Sequence, residues 1–317
     1  MAAVTASPAT PLSDSAHVAA ANAPVLADDR RAPRNALPES QADADARAQR
    51  AAAYLTAELR RQRVRAMLAT VGAPIVGIAL FVGLWAMVSS LAPQLPSPSK
   101  TFHSAVQVFG DPFYRKGPND QGIGWNILMS LSRVGIGFGL AALVGIPLGF
   151  ILGRFHVAHA MASPIISLLR PVSPLAWLPI GLMVFQAANP AAIWVIFISS
   201  IWPMVINTAV GVQRVPQDYL NVARVLNLSE SKVLTRILFP AVLPYMLTGV
   251  RLAIGVAWLV IVAAEMLTGG VGIGFWVWDE WNNLNVEHII IAIFVVGIVG
   301  LLLEHLLLFV ARRFNYA

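Results

Sequence analysis

Long apolar segments with few or no charged residues alternate along the chain with polar ones, and each apolar segment is long enough to cross a membrane as a helix. Crossing the hydrocarbon takes about 20 mainly apolar residues. We therefore expect an all-α integral membrane protein with six transmembrane helices. The predicted spans cover about Met67–Leu91, Val134–Gly153 (entered from near Trp125), Ile165–Gln186, Ala191–Val212, Leu243–Leu267 and Ile289–Ala311.

The third and fourth spans share one uncharged stretch between Arg170 and Arg214, and Asn189-Pro190 predicts the turn between them. Prolines bend helices. The third span is expected to bend at its prolines, Pro164, Pro171, Pro174 and Pro179. Such bends suit a segment that moves during function, and irregular packing is the alternative explanation. In the second span, Gly145, Gly149 and Gly153 lie on one face, where another helix can approach closely.

The residues before the first span divide into two parts. Residues 1–45 are rich in Ala, Pro, Ser and Asp, which predicts a disordered tail. Residues 46–66 predict a basic helix, either a solvated segment that sets topology or an arm that binds a partner. Nine arginines precede the six-helix transmembrane domain at 67–317, namely Arg30, Arg31, Arg34, Arg47, Arg50, Arg60, Arg61, Arg63 and Arg65.

Basic residues in the short loops predict which way the chain crosses the membrane. With the N-terminus inside, the inner loops and the end of the chain carry seven basic residues, and the outer loops carry Lys100, Arg115 and Lys116. Both termini are therefore expected in the cytoplasm.

Composition excludes several functional classes. Of the 317 residues, 57% are hydrophobic and only 12% are charged, which disfavours a soluble enzyme. The chain contains no cysteine and no phosphate-binding loop, so it offers neither thiol chemistry nor that kind of nucleotide site. His156 and His159 lack a third ligand nearby for a metal. The basic residues are explained by topology rather than by nucleic acid.

The loop from about 213 to 240 is polar, basic and compatible with a helix. Val222, Val225, Leu226 and Leu228 can form an apolar stripe along it. A short amphipathic helix of this kind can insert into the groove of a partner protein.

This loop resembles that of the inner-membrane permease subunits of ABC importers. Their motif is E-A-A, three residues, G, nine residues, then I-x-L-P. The spacing is kept by Asn221-Val222-Ala223, Asn227 and Ile237-Leu238-Phe239-Pro240, although four of these residues depart from the consensus. Residues 170–179 resemble the R-P-x-x-P-L-A-W-x-P segment of the nitrate/sulfonate/bicarbonate/taurine permeases, and residues 264–275 and 278–282 resemble the nitrate-type branch.

The resemblance extends from about the first span to Phe314 and implies a type I importer fold in a bacterial inner (plasma) membrane. The implied complex has two permease copies, two cytoplasmic ATPase subunits and an external substrate-binding protein or lipoprotein. The chain is then not an enzyme and binds no cofactor, because ATP and Mg²⁺ belong to the ATPases. Its loop helix would couple to the ATPase through Asn221, Val222, Ala223, Arg224, Val225, Leu226, Asn227 and Leu228.

The cargo that this resemblance implies is a small oxyanion. Nitrate is the first candidate, and nitrite is a second one. Bicarbonate, cyanate and sulfonate or taurine are the alternatives within the family. A stand-alone anion channel or secondary transporter is the alternative from a different class. It would need internal pseudo-symmetry or a complete ion relay, and neither is visible in the sequence.

Ionisable residues inside the spans are costly and are therefore candidates for function. Arginine suits a planar oxyanion, because it is always charged and presents several donors in one plane. Arg170 and Arg251 are expected either to line the anion pathway or to stabilise the bundle, and Glu265 to act as a structural or gating partner. The glycine-rich segment 269–274 predicts flexible or re-entrant backbone at the mouth of the pathway.

Overall fold

The structure is a computed structural model that describes residues 50–314 except 51, 55, 64, 66 and 67. Almost all of these residues are helical, and the strand-like pairing found among them is one isolated bridge between Arg115 and Gln121. The predicted tail at 1–45 and part of the predicted basic helix at 46–66 lie outside the described residues. Contacts divide the chain after Gly77 into two units.

The first unit is helical over most of residues 50–65, and each side chain described there is exposed. A π-helical turn, Leu68–Gly72, leads into helix α1 (Ala73–Leu91), which continues into the second unit. The first predicted span is therefore helical wherever it is described. None of the residues of α1 is buried.

The second unit contains the other membrane-length helices. Five helices in the described part of the chain are long and apolar enough to span a membrane, or six if one bent pair counts as a span, which agrees with the predicted number. After α1 the helices are α2 (Pro98–Gly110), α3 (Ile123–Arg154), α4 (His156–Leu169), α5 (Leu178–Phe185), α6 (Ala188–Gln213), α7 (Gln217–Val225), α8 (Glu230–Val233), α9 (Phe239–Thr268), α10 (Ile273–Asn282) and α11 (Val286–Phe314).

Helices α3, α6 and α9 form the centre of this unit, with α6 packed against both of the others. The predicted close approach along the glycine face of α3 is confirmed, and the neighbour is α6. A Cβ atom added at Gly149 would lie 2.6 Å from Cβ of Thr208, and one at Gly153 would lie 2.5 Å from Cβ of Val212. Small residues are needed there because the two backbones almost touch.

The third predicted span is not one helix from Ile165 to Gln186, and that prediction is wrong. Helix α4 ends at Leu169, and a 3₁₀ turn covers Pro174–Trp177. The segment Pro174–Phe185, which is this turn together with α5, lies at an angle of 96° to α4. Pro171 and Pro174 cause the break. Pro171 has no backbone donor with which to continue the helix, and Ser173, the residue before Pro174, has left the helical conformation, with a ψ angle of 129°. The predicted bend is present, but it is sharp enough to interrupt the span.

The predicted loop helix is present as α7, and the fifth span begins earlier than predicted. From Glu230 to Thr268 the chain forms one continuous helical run of 39 residues, which includes α8, a π-helical turn at Leu234–Leu238 and α9. At 1.5 Å per residue this run is about 58 Å long. It is longer than a membrane core requires, so part of it extends beyond the apolar layer.

Candidate substrate pathway and coupling surface

One face of α3 carries three buried polar side chains at helical spacing, Asn126, Ser130 and Arg133. They meet Glu265, which lies near the end of α9 and is 1% exposed. Arg133 Nη1 donates to Glu265 Oε1 at 2.5 Å, and the Ser130 hydroxyl donates to the same carboxylate at 2.8 Å. The Arg133 and Glu265 charges thus compensate each other, and either charge would be costly to bury alone.

The same cluster binds the start of α10 through three backbone N–H groups. Gly272 N donates to Asn126 Oδ1 at 2.8 Å, Ile273 N to Ser130 Oγ at 2.9 Å, and Gly274 N to Glu265 Oε2 at 3.0 Å. These are N–H groups that a helix start leaves without partners in the helix itself. Side chains of α3 and α9 therefore cap α10.

The glycine-rich segment owes its glycines to this capping site as well as to its turn. A Cβ atom at Gly272 would lie 2.4 Å from the carboxyl carbon of Glu265, and one at Gly274 would lie 2.0 Å from the carbonyl oxygen of Val262. Gly269 and Gly270 have φ angles of 76° and 91°, which other residues rarely adopt. The second half of the segment is a tightly packed helix start, and flexible or re-entrant backbone at the mouth of the pathway stays a prediction.

Arg133 has a second partner at the start of α6. Its Nε and Nη2 atoms donate to Asn189 Oδ1 at 2.9 and 2.6 Å. Sequence reasoning missed Arg133 because it lies one residue before the uncharged segment that defined the second span. The spacing of Asn126, Ser130 and Arg133 was the available signal, since positions four and three apart lie on one helix face.

Arg251, near the middle of α9, is paired with Glu304 of α11. Its Nε atom donates to Glu304 Oε1 at 3.1 Å, and its Nη2 atom contacts the same oxygen. The two side chains are 48% and 42% exposed, so the pair is open to its surroundings. It lines a cavity of about 620 Å³, whose walls include Gly255, Gly297 and Gly300.

Arg170 follows the last residue of α4, at the break in the third span. It lines a separate cavity of about 340 Å³ against α6 and α9. Leu252 and Val256 of α9 line both this cavity and the one around Arg251. The structure therefore places the three predicted site residues at three different sites, with the two arginines on neighbouring cavities and Glu265 in the capping cluster.

The predicted coupling residues form an exposed surface on α7 and the turn after it. Val222, Val225 and Leu226 are 57%, 85% and 63% exposed, whereas Ala223 is buried. Leu228 N donates to Ala223 O at 3.0 Å, and Asn227 between them has a φ of 47°. That left-handed position normally takes glycine, and asparagine is the common substitute. The departure from the motif at Asn227 therefore keeps the shape of the helix end.

These features agree with what comparison with known proteins shows. A family model described as "binding-protein-dependent transport system inner membrane component" matches residues 145–316, which is more than half of the chain. The chain belongs to this family. The match includes the broken third span, α7 and α9, so Arg170, Arg251, Glu265 and the coupling residues all lie within the part that defines the permease family.

Two curated relatives show where the chain lies among these permeases. Nitrate import permease protein NrtB of Synechocystis sp. is 50% identical over 237 residues, which are 74% of this chain and 86% of the relative. Bicarbonate transport system permease protein CmpB of Synechococcus elongatus is 45% identical over 243 residues, which are 75% and 87% of the two chains. The predicted resemblance to ABC importer permeases and to their nitrate-type branch is confirmed.

The permease fold is confirmed by a solved structure. A chain of the inward-facing MetNI methionine ABC transporter superposes with a TM-score of 0.53 at 13% identity, and the alignment covers 60% of this chain and 94% of that one. At this identity the likeness concerns the fold alone. The fold is that of a type I importer permease, as predicted.

Proposed function

We propose that this permease moves nitrate across the bacterial inner membrane as the membrane-spanning subunit of an ATP-driven importer. The observation that carries the proposal is the 50% identity to a nitrate import permease over 86% of that protein's length. Nitrite, which has a similar size and charge, is a second cargo on the same grounds.

The partners follow from the family and from the exposed surfaces. A substrate-binding protein delivers the anion from outside, and a second copy of this chain completes the pathway. Two ATPase subunits bind, one at the α7 helix of each permease copy. The exposed apolar side chains Val225 and Leu226 support an ATPase contact at α7, because apolar groups outside the membrane are stabilised by a protein partner. ATP and Mg²⁺ then bind to the ATPases, and this chain is the coupling and conducting part.

Both termini lie in the cytoplasm under this proposal. The basic residues at the end of α3 and between α6 and α9 support the assignment, since basic segments next to the spans stay on the cytoplasmic side. They are Arg154, Arg214, Arg224, Lys232 and Arg236. Helix α7 then faces the ATPases, and the acidic residues of α10 face the binding protein. Trp278 and Trp281, which are exposed on α10, provide apolar area for that contact.

Bicarbonate is the second candidate cargo, because bicarbonate permeases of Synechococcus elongatus and Synechocystis sp. are 45% and 48% identical to this chain. Both anions are planar, monovalent oxyanions. Bicarbonate carries a hydroxyl group that donates a hydrogen bond, and nitrate has no donor. A site that is specific for nitrate therefore needs no hydrogen-bond acceptor facing the anion.

The experiment is ATP-dependent uptake of labelled nitrate into proteoliposomes that contain this chain, its ATPase and its binding protein. Bicarbonate, nitrite, cyanate and taurine are tested as competitors. We expect saturable nitrate uptake that requires ATP hydrolysis and is blocked by nitrite. ATP-driven uptake of bicarbonate without nitrate uptake would overturn the cargo assignment, and uptake that proceeds without ATP would favour a channel.

The coupling surface is tested by replacing Val225 and Leu226 with Asp together. We expect nitrate uptake to fall at least tenfold, because two charges replace the apolar contact, while the membrane part remains folded. The control is Gln217→Asp, which adds one such charge in the first turn of α7, where a carboxylate is favoured by the helix dipole. Full uptake by the double variant would show that the ATPase binds elsewhere.

A further inference from the structure

The cavity beside Arg170 lies at the middle of the two central helices. Its α6 wall is formed by residues between Ile198 and Asn207, and the middle of α6 is near residue 200. Its α9 wall is formed by Leu252 and Val256, and the middle of α9 is near residue 253. Backbone that leaves the helical conformation at such a depth must be covered by protein or line a polar cavity. The break at residues 170–173 therefore lies at a cavity about halfway across the bundle.

Arg170 differs from Arg133 and Arg251 in having no counter-charge. Arg133 is paired with Glu265, and Arg251 is paired with Glu304. The Arg170 guanidinium makes no hydrogen bond or ion pair with any residue that the structure describes, and no carboxylate lines its cavity. A lone arginine in a membrane segment costs roughly 2.5–3.5 kcal/mol on insertion scales, unless water or an anion compensates for it.

The other walls of the cavity suit an anion with a single charge. Most of them are apolar, with Trp202 and Pro203 on one side and Pro171 and Pro174 on the other. Two of the neutral polar groups are already engaged, because the Ser199 hydroxyl donates to Ile196 O at 2.8 Å and Asn207 Nδ2 donates to Pro203 O at 2.8 Å. The cavity thus offers one positive charge and few other donors. A divalent oxyanion would remain half-compensated there.

We propose that the cavity lined by Arg170, Ser173 and Trp202 is a binding site for one monovalent planar oxyanion during its passage through the permease. The guanidinium presents paired N–H donors in one plane, which match two oxygens of such an anion. The apolar walls favour anions that lose their hydration easily, and among those at issue nitrate is less strongly hydrated than bicarbonate. This inference rests on the proposed function, and it assigns binding to Arg170 rather than to the paired Arg251.

The direct test uses the absence of cysteine from the chain. Ser173→Cys places a single thiol of this chain in the cavity, and its alkylation by an anionic thiol reagent is followed in the assembled complex in lipid nanodiscs. We expect nitrate to slow alkylation at least fivefold and sulfate at equal ionic strength to have little effect. Equal alkylation rates with and without nitrate would overturn the proposal, and this arm needs no change at Arg170.

The second arm measures nitrate uptake by Arg170→Gln and Arg170→Lys complexes. We expect Arg170→Gln to raise KM at least tenfold and to abolish protection of the thiol, and Arg170→Lys, which keeps the charge but not the planar fork, to give an intermediate KM. The control Arg63→Gln removes one exposed positive charge that lies more than 100 positions before Arg170 in the sequence. This variant should leave KM unchanged. An unaltered KM in the Arg170→Gln complex would overturn the proposed anion site at Arg170, while the proposal of nitrate import would stand.

The two proposals fail in different ways. If the complex imports bicarbonate but not nitrate, the cargo assignment fails, and protection of the thiol by bicarbonate would still support an anion site at Arg170. If nitrate is imported but none of the anions protects the thiol, the function stands and the site is elsewhere.

Discussion

Arg133 and Arg170 are both arginines within the helical bundle, yet their surroundings are opposite. Arg133 is buried and uses three of its nitrogens to bind Glu265 and Asn189. Arg170 is exposed to a cavity and has no partner among the described residues. The role of a charge inside the bundle therefore depends on its partner rather than on its depth. A satisfied pair stabilises the fold, and an unsatisfied charge is available to a ligand.

Arg251 lies between these extremes. It has a full counter-charge in Glu304, but about half of each side chain is exposed in a large cavity. It is therefore compensated like Arg133 and accessible like Arg170. Three stability measurements can test whether the comparison is correct.

The largest effect is expected from Arg133→Met, which leaves the Glu265 carboxylate buried without its cation. Breaking a buried pair in this way costs about 3–5 kcal/mol. The thermal unfolding of the purified complex, followed by tryptophan fluorescence, should shift to a much lower temperature. The double variant Arg133→Met with Glu265→Gln should recover most of the loss, because no charge is left unpaired. A double variant as unstable as the single one would show that the pair is not the main contribution.

A smaller effect is expected from Gly272→Ala. The added methyl group meets the Glu265 carboxyl group at the start of α10, and overpacking of this kind costs about 1–3 kcal/mol. Gly255→Ala is the matched control, since a Cβ atom there has nothing within 4 Å. The control variant should be as stable as the parent or slightly more stable, because alanine favours the helix. Equal melting temperatures for the two variants would mean that the capping cluster adapts freely.

The smallest effect is expected from Arg251→Met, which leaves the carboxylate of Glu304 half-exposed rather than buried. Exposed pairs contribute about 0–1 kcal/mol, since the charges are screened. Melting of this variant should differ little from that of the parent. A loss as large as that of Arg133→Met would show that the pair is enclosed in the assembled complex.

The membrane-spanning helices could be predicted from the sequence because long apolar segments carry that information directly. The loop helix could be predicted too, and its position agrees with α7. The sharp break after Leu169 was predicted only as a bend, because proline indicates that a helix is disturbed but does not set the angle. That angle depends on how α5 packs against α6.

The candidate site was less accessible to sequence reasoning. Arg251 and Glu304 are 53 positions apart, and Arg133 and Glu265 are 132 apart, so no local pattern links either pair. The glycines at 272 and 274 look like those of a flexible loop, and only the position of Glu265 shows why they must be small. Pairing between distant helices is a property of packing, which one sequence does not reveal.

The 39-residue helical run from Glu230 to Thr268 has a mechanical consequence. The run is fixed near one end, where Arg133 binds Glu265, and it would tilt as one body only if the π-helical turn at Leu234–Leu238 and the turn at Pro244 keep their geometry. Glu230 lies about 52 Å from that fixed point and Arg251 about 21 Å from it, at 1.5 Å per residue. A tilt of about 5° would therefore displace the Glu230 end by about 4.5 Å and Arg251 by about 2 Å. The same tilt would therefore move the backbone beside α7 more than twice as far as it moves the cavity walls near Arg251.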